Sequence, residues 1–124
     1  MRNIPLQAQL EIACAIDRPK LLERLVAPYG ALADISSLLS FTADDLYRFL
    51  RENPHVCRQL FNDAGDKRWA PATFIDRSFF VYEVGWYENG RKSVQWFLTL
   101  AAAVTDYVLA SLNLPRFQKK HFLQ

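Results

Sequence analysis

The chain has 124 residues, of which 51% are hydrophobic and 23% charged, and its formal net charge is +2. This composition excludes a disordered chain, and the length is enough to bury a core without disulfides or metals. We therefore predict one domain over residues 1–124, with a helical part at 1–63 and a β-meander plus helix at 64–124.

Charge is distributed unevenly along the chain. Residues 1–63 carry seven Lys/Arg and eight Asp/Glu, whereas residues 64–124 carry eight and five, so the two halves have net charges of −1 and +3. A basic excess in the second half suits either a phosphate backbone or an acidic protein surface.

The first half predicts four or five short helices, because apolar residues recur there at intervals of three and four. Asp17 before Arg18-Pro19 predicts a helix cap followed by a proline in the first turn. Thr42 with Asp45 three residues later resembles a capping box. Asn53-Pro54 ends that helix and starts another. We interpret residues 62–71 as a polar, turn-rich link.

The second half changes to a period of two, which predicts strands at 72–75, 80–87 and 93–97. Asn89-Gly90 predicts a type I′ turn between the last two. Thr99 caps a final helix that ends near Asn113. The predicted fold is α+β: an N-terminal helical bundle of four or five short helices, a three-stranded antiparallel meander, and a C-terminal helix packed on the sheet.

Aromatic residues are concentrated in the predicted sheet. One helix cannot cover them all, so we expect the rest either to pack on the N-terminal helices or to be exposed for an interface. They are Trp69, Phe74, Phe79, Phe80, Tyr82, Trp86, Tyr87, Trp96 and Phe97.

The cysteines and histidines favour neither a metal site nor catalysis. Cys14 and Cys57 lie in apolar helical stretches, as buried thiols of a reducing compartment do, which predicts a cytoplasmic location. His55 and His121 are far apart and complete no zinc motif. We predict no cofactor and no enzymatic activity. No apolar run is long enough to span a membrane, so we expect no membrane partner.

Residues 30–56 resemble the helix-turn-helix of small terminase subunits and transposase-type proteins. Ser40-Phe41-Thr42 matches the turn, and Leu46-Tyr47-Arg48-Phe49-Leu50 matches the second helix. The resemblance implies that this helix enters a major groove of DNA.

Residues 82–109 resemble the arm-type DNA-binding domain of phage tyrosine integrases. Tyr82 to Lys92, followed by Phe97, Thr99 and a helix, carries the similarity. In that family one face of a three-stranded sheet enters the major groove and a helix backs the other face. Arg91 and Lys92 match the basic start of its hairpin.

Together these observations predict a non-enzymatic protein that binds or associates with double-stranded DNA, of phage or mobile-element type. The mechanism would be mainly electrostatic contact with phosphates. The predicted nucleic-acid-binding residues are Thr42, Tyr47, Arg48, Arg51, Lys67, Arg68, Arg77, Arg91 and Lys92.

The alternative is a protein-interaction module, such as an inhibitor or a toxin-immunity protein. The near-neutral charge, the acids at Asp44 and Asp45 and the aromatic excess favour this alternative. The sequence leaves open the partner and the oligomeric state.

Overall fold

A computed structural model describes residues 4–30, 35–65, 73–88 and 90–116. In these ranges five helices precede a three-stranded antiparallel sheet, and a sixth helix packs on that sheet, which confirms the predicted α+β layout. The helices are α1 (Leu6–Ala13), α2 (Pro19–Val26), α3 (Ile35–Leu38), α4 (Ala43–Glu52), α5 (Pro54–Gly65) and α6 (Leu100–Ser111). None of the helices described is long and apolar enough to cross a membrane.

The capping signals explain two helix starts and fail at a third. Thr42 and Asp45 form the predicted capping box at the start of α4, with reciprocal side-chain bonds of 3.1 and 2.9 Å. The predicted cap at Asp17 is wrong, because Arg18 occupies the N-cap position of α2. The Asp17 carboxylate instead accepts a hydrogen bond from the hydroxyl of Tyr107, 2.9 Å away in α6.

The predicted link at 62–71 begins later than expected. Helix α5 continues to Gly65, so its last turn includes the residues that we interpreted as polar loop. The remainder of the link lies outside the described residues.

The sheet is a meander in the order β1 (Thr73–Ser78), β2 (Val81–Glu88) and β3 (Arg91–Phe97). Strand β1 reaches three residues further than predicted, and β3 begins at Arg91 rather than Ser93. Gly90 has a φ of 77°, as a type I′ turn requires at its second position. Asn89 of that turn lies outside the described residues.

Helix α6 is the centre of the molecule. It packs against α4, α5 and all three strands, and most of its residues are buried around the whole circumference. The sequence predicts one buried face, but the neighbours on several sides also cover Ala102, Ala103 and Leu109. Thr99 caps its start as predicted. Asn113, with a φ of 57°, and a bond of 2.9 Å from the Leu114 N–H to the Leu109 carbonyl end it.

One hydrophobic cluster connects the helical half to the sheet. It contains buried residues from α1, α2, α4, α5, all three strands and α6. The buried Gln9 side chain ties α1 to the segment before α4, because its oxygen accepts bonds from the N–H groups of Ser40 and Phe41 at 2.7 and 3.1 Å. Among the described residues, α5 and α6 pack on the same face of the sheet.

Candidate functional site

The two faces of the sheet have different environments. Ile75, Val84 and Phe97 point toward α6 and are buried. Helix α5 lies on the same side, where Phe61 packs edge-on against Tyr82 with ring centroids 6.0 Å apart. Because side chains alternate along a strand, the neighbouring residues point to the opposite side.

We call this opposite side the outer face. In the part of the chain that the structure describes, the helices that pack on the sheet, α5 and α6, lie on its other side. The strand register aligns the side chains of the outer face in rows across the three strands. The outer face consists of Phe74, Asp76, Ser78, Val81, Glu83, Gly85, Tyr87, Lys92, Val94 and Trp96.

Aromatic rings dominate the outer face. Tyr87 and Trp96 are 53% and 54% exposed. The far edge of the Phe74 ring lies against Gly85, where an added Cβ would stand 2.1 Å from the ring. The Lys92 ammonium sits 4.9 Å from the centre of the same ring, and Tyr87 lies beside it at 6.3 Å. The glycine thus allows a large ring to lie close to the backbone.

The turn between β1 and β2 exposes two further rings. Phe79 and Phe80 form this two-residue turn and are 90% and 89% exposed. Phe79 has a φ of 50°, a left-handed conformation that bulky side chains rarely adopt. The sequence left open whether these two rings would pack on the N-terminal helices or be exposed, and the structure has both exposed. We call Phe79 and Phe80 the hairpin tip.

Two carboxylates lie opposite each other on the outer face. Asp76 of β1 pairs in register with Glu83 of β2, and Trp96 of β3 completes the row. Among the described residues neither carboxylate has an ion-pair partner. Like charges directly opposite each other in a sheet destabilise it. We therefore expect this pair of like charges, the acidic row, to be an unfavourable feature of the isolated sheet.

The predicted DNA-contacting residues of the first half lie on α4. The Thr42 side chain accepts the N-cap hydrogen bond, while Arg48 and Arg51 are exposed. Tyr47 is partly buried, and the Arg51 guanidinium lies 5.5 Å from its ring centre. Asp44 and Glu52 line the same surface hollow as these arginines, so acids accompany the cations. The preceding helix, α3, has four residues.

The predicted cations of the second half do not form one group. The Arg77 guanidinium lies 6.0 Å from the ring of Tyr82, on the helix side of the sheet, and Lys92 lies on the outer face. The register places Arg77 opposite Tyr82 and Lys92 opposite Tyr87, five residues apart, which is about 17 Å along the strand. Arg91 is exposed beside Lys92. Lys67 and Arg68 lie outside the described residues.

A buried ion pair between Asp106 and Arg116 lies on the helix side of the sheet. Asp106, in the apolar helix α6, is fully buried and accepts hydrogen bonds from two nitrogens of Arg116, one of them at 2.7 Å. The Arg116 guanidinium also stacks 3.8 Å from the ring centre of Trp86 and donates to Gln95. Burial raises the pKa of Asp106, and Arg116 offsets part of that rise. The sequence analysis missed this pair, although an aspartate within an apolar helix was a signal.

A groove between α1, α2 and α5 has a volume of about 680 Å³. Cys14 and Leu60 contribute to its apolar wall. At its mouth Arg18 and Gln59 both bind the Asp63 carboxylate at 2.9 Å, so these polar groups already satisfy one another.

The thiols are poorly suited to nucleophilic chemistry. Burial raises the pKa of Cys14 to about 12 and that of Cys57 to about 11, so both are protonated at neutral pH. Across the described ranges, no three His, Cys, Asp or Glu side chains come together as metal ligands would.

Comparisons with known proteins do not extend this description. No protein-family model, curated protein or solved structure matches the chain.

Proposed function

We propose that this chain is a protein-interaction module and that the outer face, together with the hairpin tip, is the surface on which its partner docks. The observation that carries the proposal is the concentration of exposed rings on the outer face and at the hairpin tip. Isolated exposed apolar residues are ordinary, whereas a contiguous patch marks an interaction site.

The size of the patch supports an interface. Tyr87, Trp96, Phe79 and Phe80 are each more than half exposed, and Leu98, which follows β3, is 51% exposed. With typical side-chain areas these residues expose on the order of 600 Å² of largely apolar surface. That is at the upper end of the largest patch found on most monomers. Tyr and Trp also contribute most often to binding energy in protein interfaces.

The charges of the surface favour a protein over a nucleic acid. The half of the outer face near the hairpin tip carries Asp76 and Glu83, which would repel phosphates. Among the residues that the structure describes, the cations of the sheet that could bind phosphates are divided between its opposite ends and faces, and those of α4 lie beside Asp44 and Glu52. DNA binding needs several cations on one accessible surface. A basic group on a protein partner would complement the acidic row.

Site-specific photo-crosslinking in cells tests the proposal. A benzophenone amino acid replaces Phe80 in one variant and Lys20, an exposed residue of α2, in a control. We expect a discrete crosslinked protein product from position 80 and none from position 20. Binding is then reconstituted with the purified partner, and Trp96→Ala should weaken it at least 10-fold while Arg48→Ala does not. Equal crosslinking at both positions would refute the proposal.

A salt titration distinguishes the proposal from DNA binding. Non-specific DNA-binding proteins bind random duplex with Kd values of about 10⁻⁴ to 10⁻⁶ M, and the affinity falls steeply with salt. We expect no saturable binding in this range at 50 mM salt by fluorescence anisotropy. Saturable binding that Arg91→Glu weakens and salt abolishes would favour the DNA-binding prediction instead.

A further inference from the structure

The outer face has its charges at opposite ends. The register forms a row of Asp76, Glu83 and Trp96 near the hairpin tip and a row with Tyr87 and Lys92 at the other end. Glu83 and Tyr87 are four residues apart on β2, so the two rows are separated by about 13 Å. Between them lies an uncharged row of Phe74, Gly85 and Val94.

From this pattern we infer that the partner on the outer face is a second copy of this chain, bound face to face about a two-fold axis that crosses the strands at the Phe74–Gly85–Val94 row. The inference rests on the proposed function, since it names the partner of the same surface. A two-fold interface uses the same patch on both copies, so the patch must complement itself.

When the strands of the two stacked sheets run nearly along the same line, a two-fold axis in the interface allows two arrangements. A two-fold axis parallel to the strands leaves the position of each row along the strands unchanged. It would therefore place the acidic row of one copy against the acidic row of the other. An axis across the strands reverses the order of the rows. It brings Glu83 of one copy close to Lys92 of the other, at the spacing of packed sheets, about 10 Å between backbones. The charges therefore select the second arrangement.

The second arrangement also relieves costs present in the single copy. The repulsion between Asp76 and Glu83 falls when a lysine of the other copy approaches them. Trp96 lies over the same lysine and can form a cation–π contact. At the axis, the Phe74 ring lies against Gly85, close to the backbone of β2.

The area agrees with a reversible dimer. The hairpin tip lies outside this overlap, so each copy buries less than the roughly 600 Å² counted above and the interface totals less than about 1,200 Å², in the range of weak, transient complexes. We therefore expect a Kd on the order of 10 μM, because a small interface offsets the entropy of association only modestly.

Charge reversal tests the inference by sedimentation equilibrium between 5 and 500 μM. Glu83→Lys and Lys92→Glu should each raise the dimer Kd at least 10-fold, because each variant places like charges at both contacts. An equimolar mixture of the two variants should form a heterodimer with a Kd within about 3-fold of the original. Recovery in the mixture must be intermolecular, since each copy carries only one change. Circular dichroism checks that both variants are folded.

The outcomes separate the inference from the proposed function. A chain that is monomeric at 500 μM, or a mixture that stays monomeric, overturns the inference. If the crosslinker at position 80 nevertheless traps a different protein, the proposed function stands without the dimer. If the chain is monomeric and position 80 traps nothing above the control, both fail. Arg48→Ala serves as the matched control and should leave the Kd unchanged.

Discussion

The Arg116 side chain is partly exposed, yet its removal should strongly lower the free energy of unfolding. It neutralises Asp106, which has no contact with solvent, and covers the ring of Trp86. Arg116→Ala would leave a buried carboxylate without its cation, and breaking such a pair costs about 3 kcal/mol of the free energy of unfolding. Urea denaturation measures the change. Arg48→Ala, at an exposed arginine of α4, should change it by less than about 0.5 kcal/mol. Equal costs would show that the ion pair does not stabilise the fold.

Phe79 occupies a conformation that suits glycine better than phenylalanine. Its φ is positive, whereas Phe80 beside it is not among the positive-φ residues. Phe79→Gly should raise the free energy of unfolding by about 1 kcal/mol, because the left-handed conformation strains a side chain with a Cβ. Phe80→Gly should have no stabilising effect. Thermal unfolding of both variants compares them, and stabilisation by Phe80→Gly alone would contradict the argument.

The same substitution connects strain to function. Strained residues persist where the surrounding structure or a function retains them. If the hairpin tip contacts the partner, Phe79→Gly should stabilise the free chain and weaken the complex. Thermal unfolding of the Phe79→Gly chain and its affinity for the partner measure the two effects on one variant, and they should have opposite signs.

At the scale of the strands, Gly85 and Phe74 form a coupled pair. An alanine Cβ at position 85 would overlap the Phe74 ring and displace it, which also removes its contacts with Lys92 and Tyr87. Gly85→Ala should cost about 2 kcal/mol of the free energy of unfolding. Once Phe74→Ala has removed the ring, the same change should cost little. A double-mutant cycle measures this coupling, and additive effects would contradict the geometry.

Helix α6 lacks an amphipathic pattern because other elements cover most of its sides. Its residues are apolar or small on most sides because the sheet, α4 and α5 surround it. A helix covered on all sides needs no polar face, and the sequence pattern of such a helix cannot identify a single buried stripe.

At the scale of the whole molecule, the buried thiols should make the free energy of unfolding fall as the pH becomes alkaline. Burial raises the pKa of Cys57 to about 11 and that of Cys14 to about 12, above the ordinary value of a cysteine thiol. The folded state therefore holds these protons more tightly than the unfolded state. The resulting stability is fully present below pH 9 and is lost as pH rises through 11–12, with a slope of up to about 1.4 kcal/mol per pH unit for each thiol.

Urea denaturation between pH 8 and 11 checks this dependence. Cys14→Ala/Cys57→Ala should show a shallower decline than the original chain, although it starts from lower stability. Parallel declines would show that other groups cause the pH dependence. In native conditions at pH 8, both thiols should also react with iodoacetamide about 100-fold more slowly than in urea.

The sequence by itself determined the elements and their order. The capping box at Thr42, the period-two pattern of β2 and the cap at Thr99 are local signals, and each predicts its element without reference to distant residues. The α+β layout follows from these signals in chain order. The error at Asp17 arose because a residue 90 positions away, Tyr107, binds its carboxylate.

Only the tertiary structure decided which face of the sheet the described helices cover. Alternation shows that a strand has two faces, but only the position of α6 and α5 determines which of them is covered. The grouping of charges also depends on the tertiary structure. Arg77 and Lys92 belong to the same half of the chain, yet the register places them on different strands, on opposite faces of the sheet and about 17 Å apart along the strands. Exposure and charge grouping depend on contacts between residues distant in sequence, and no local pattern encodes them.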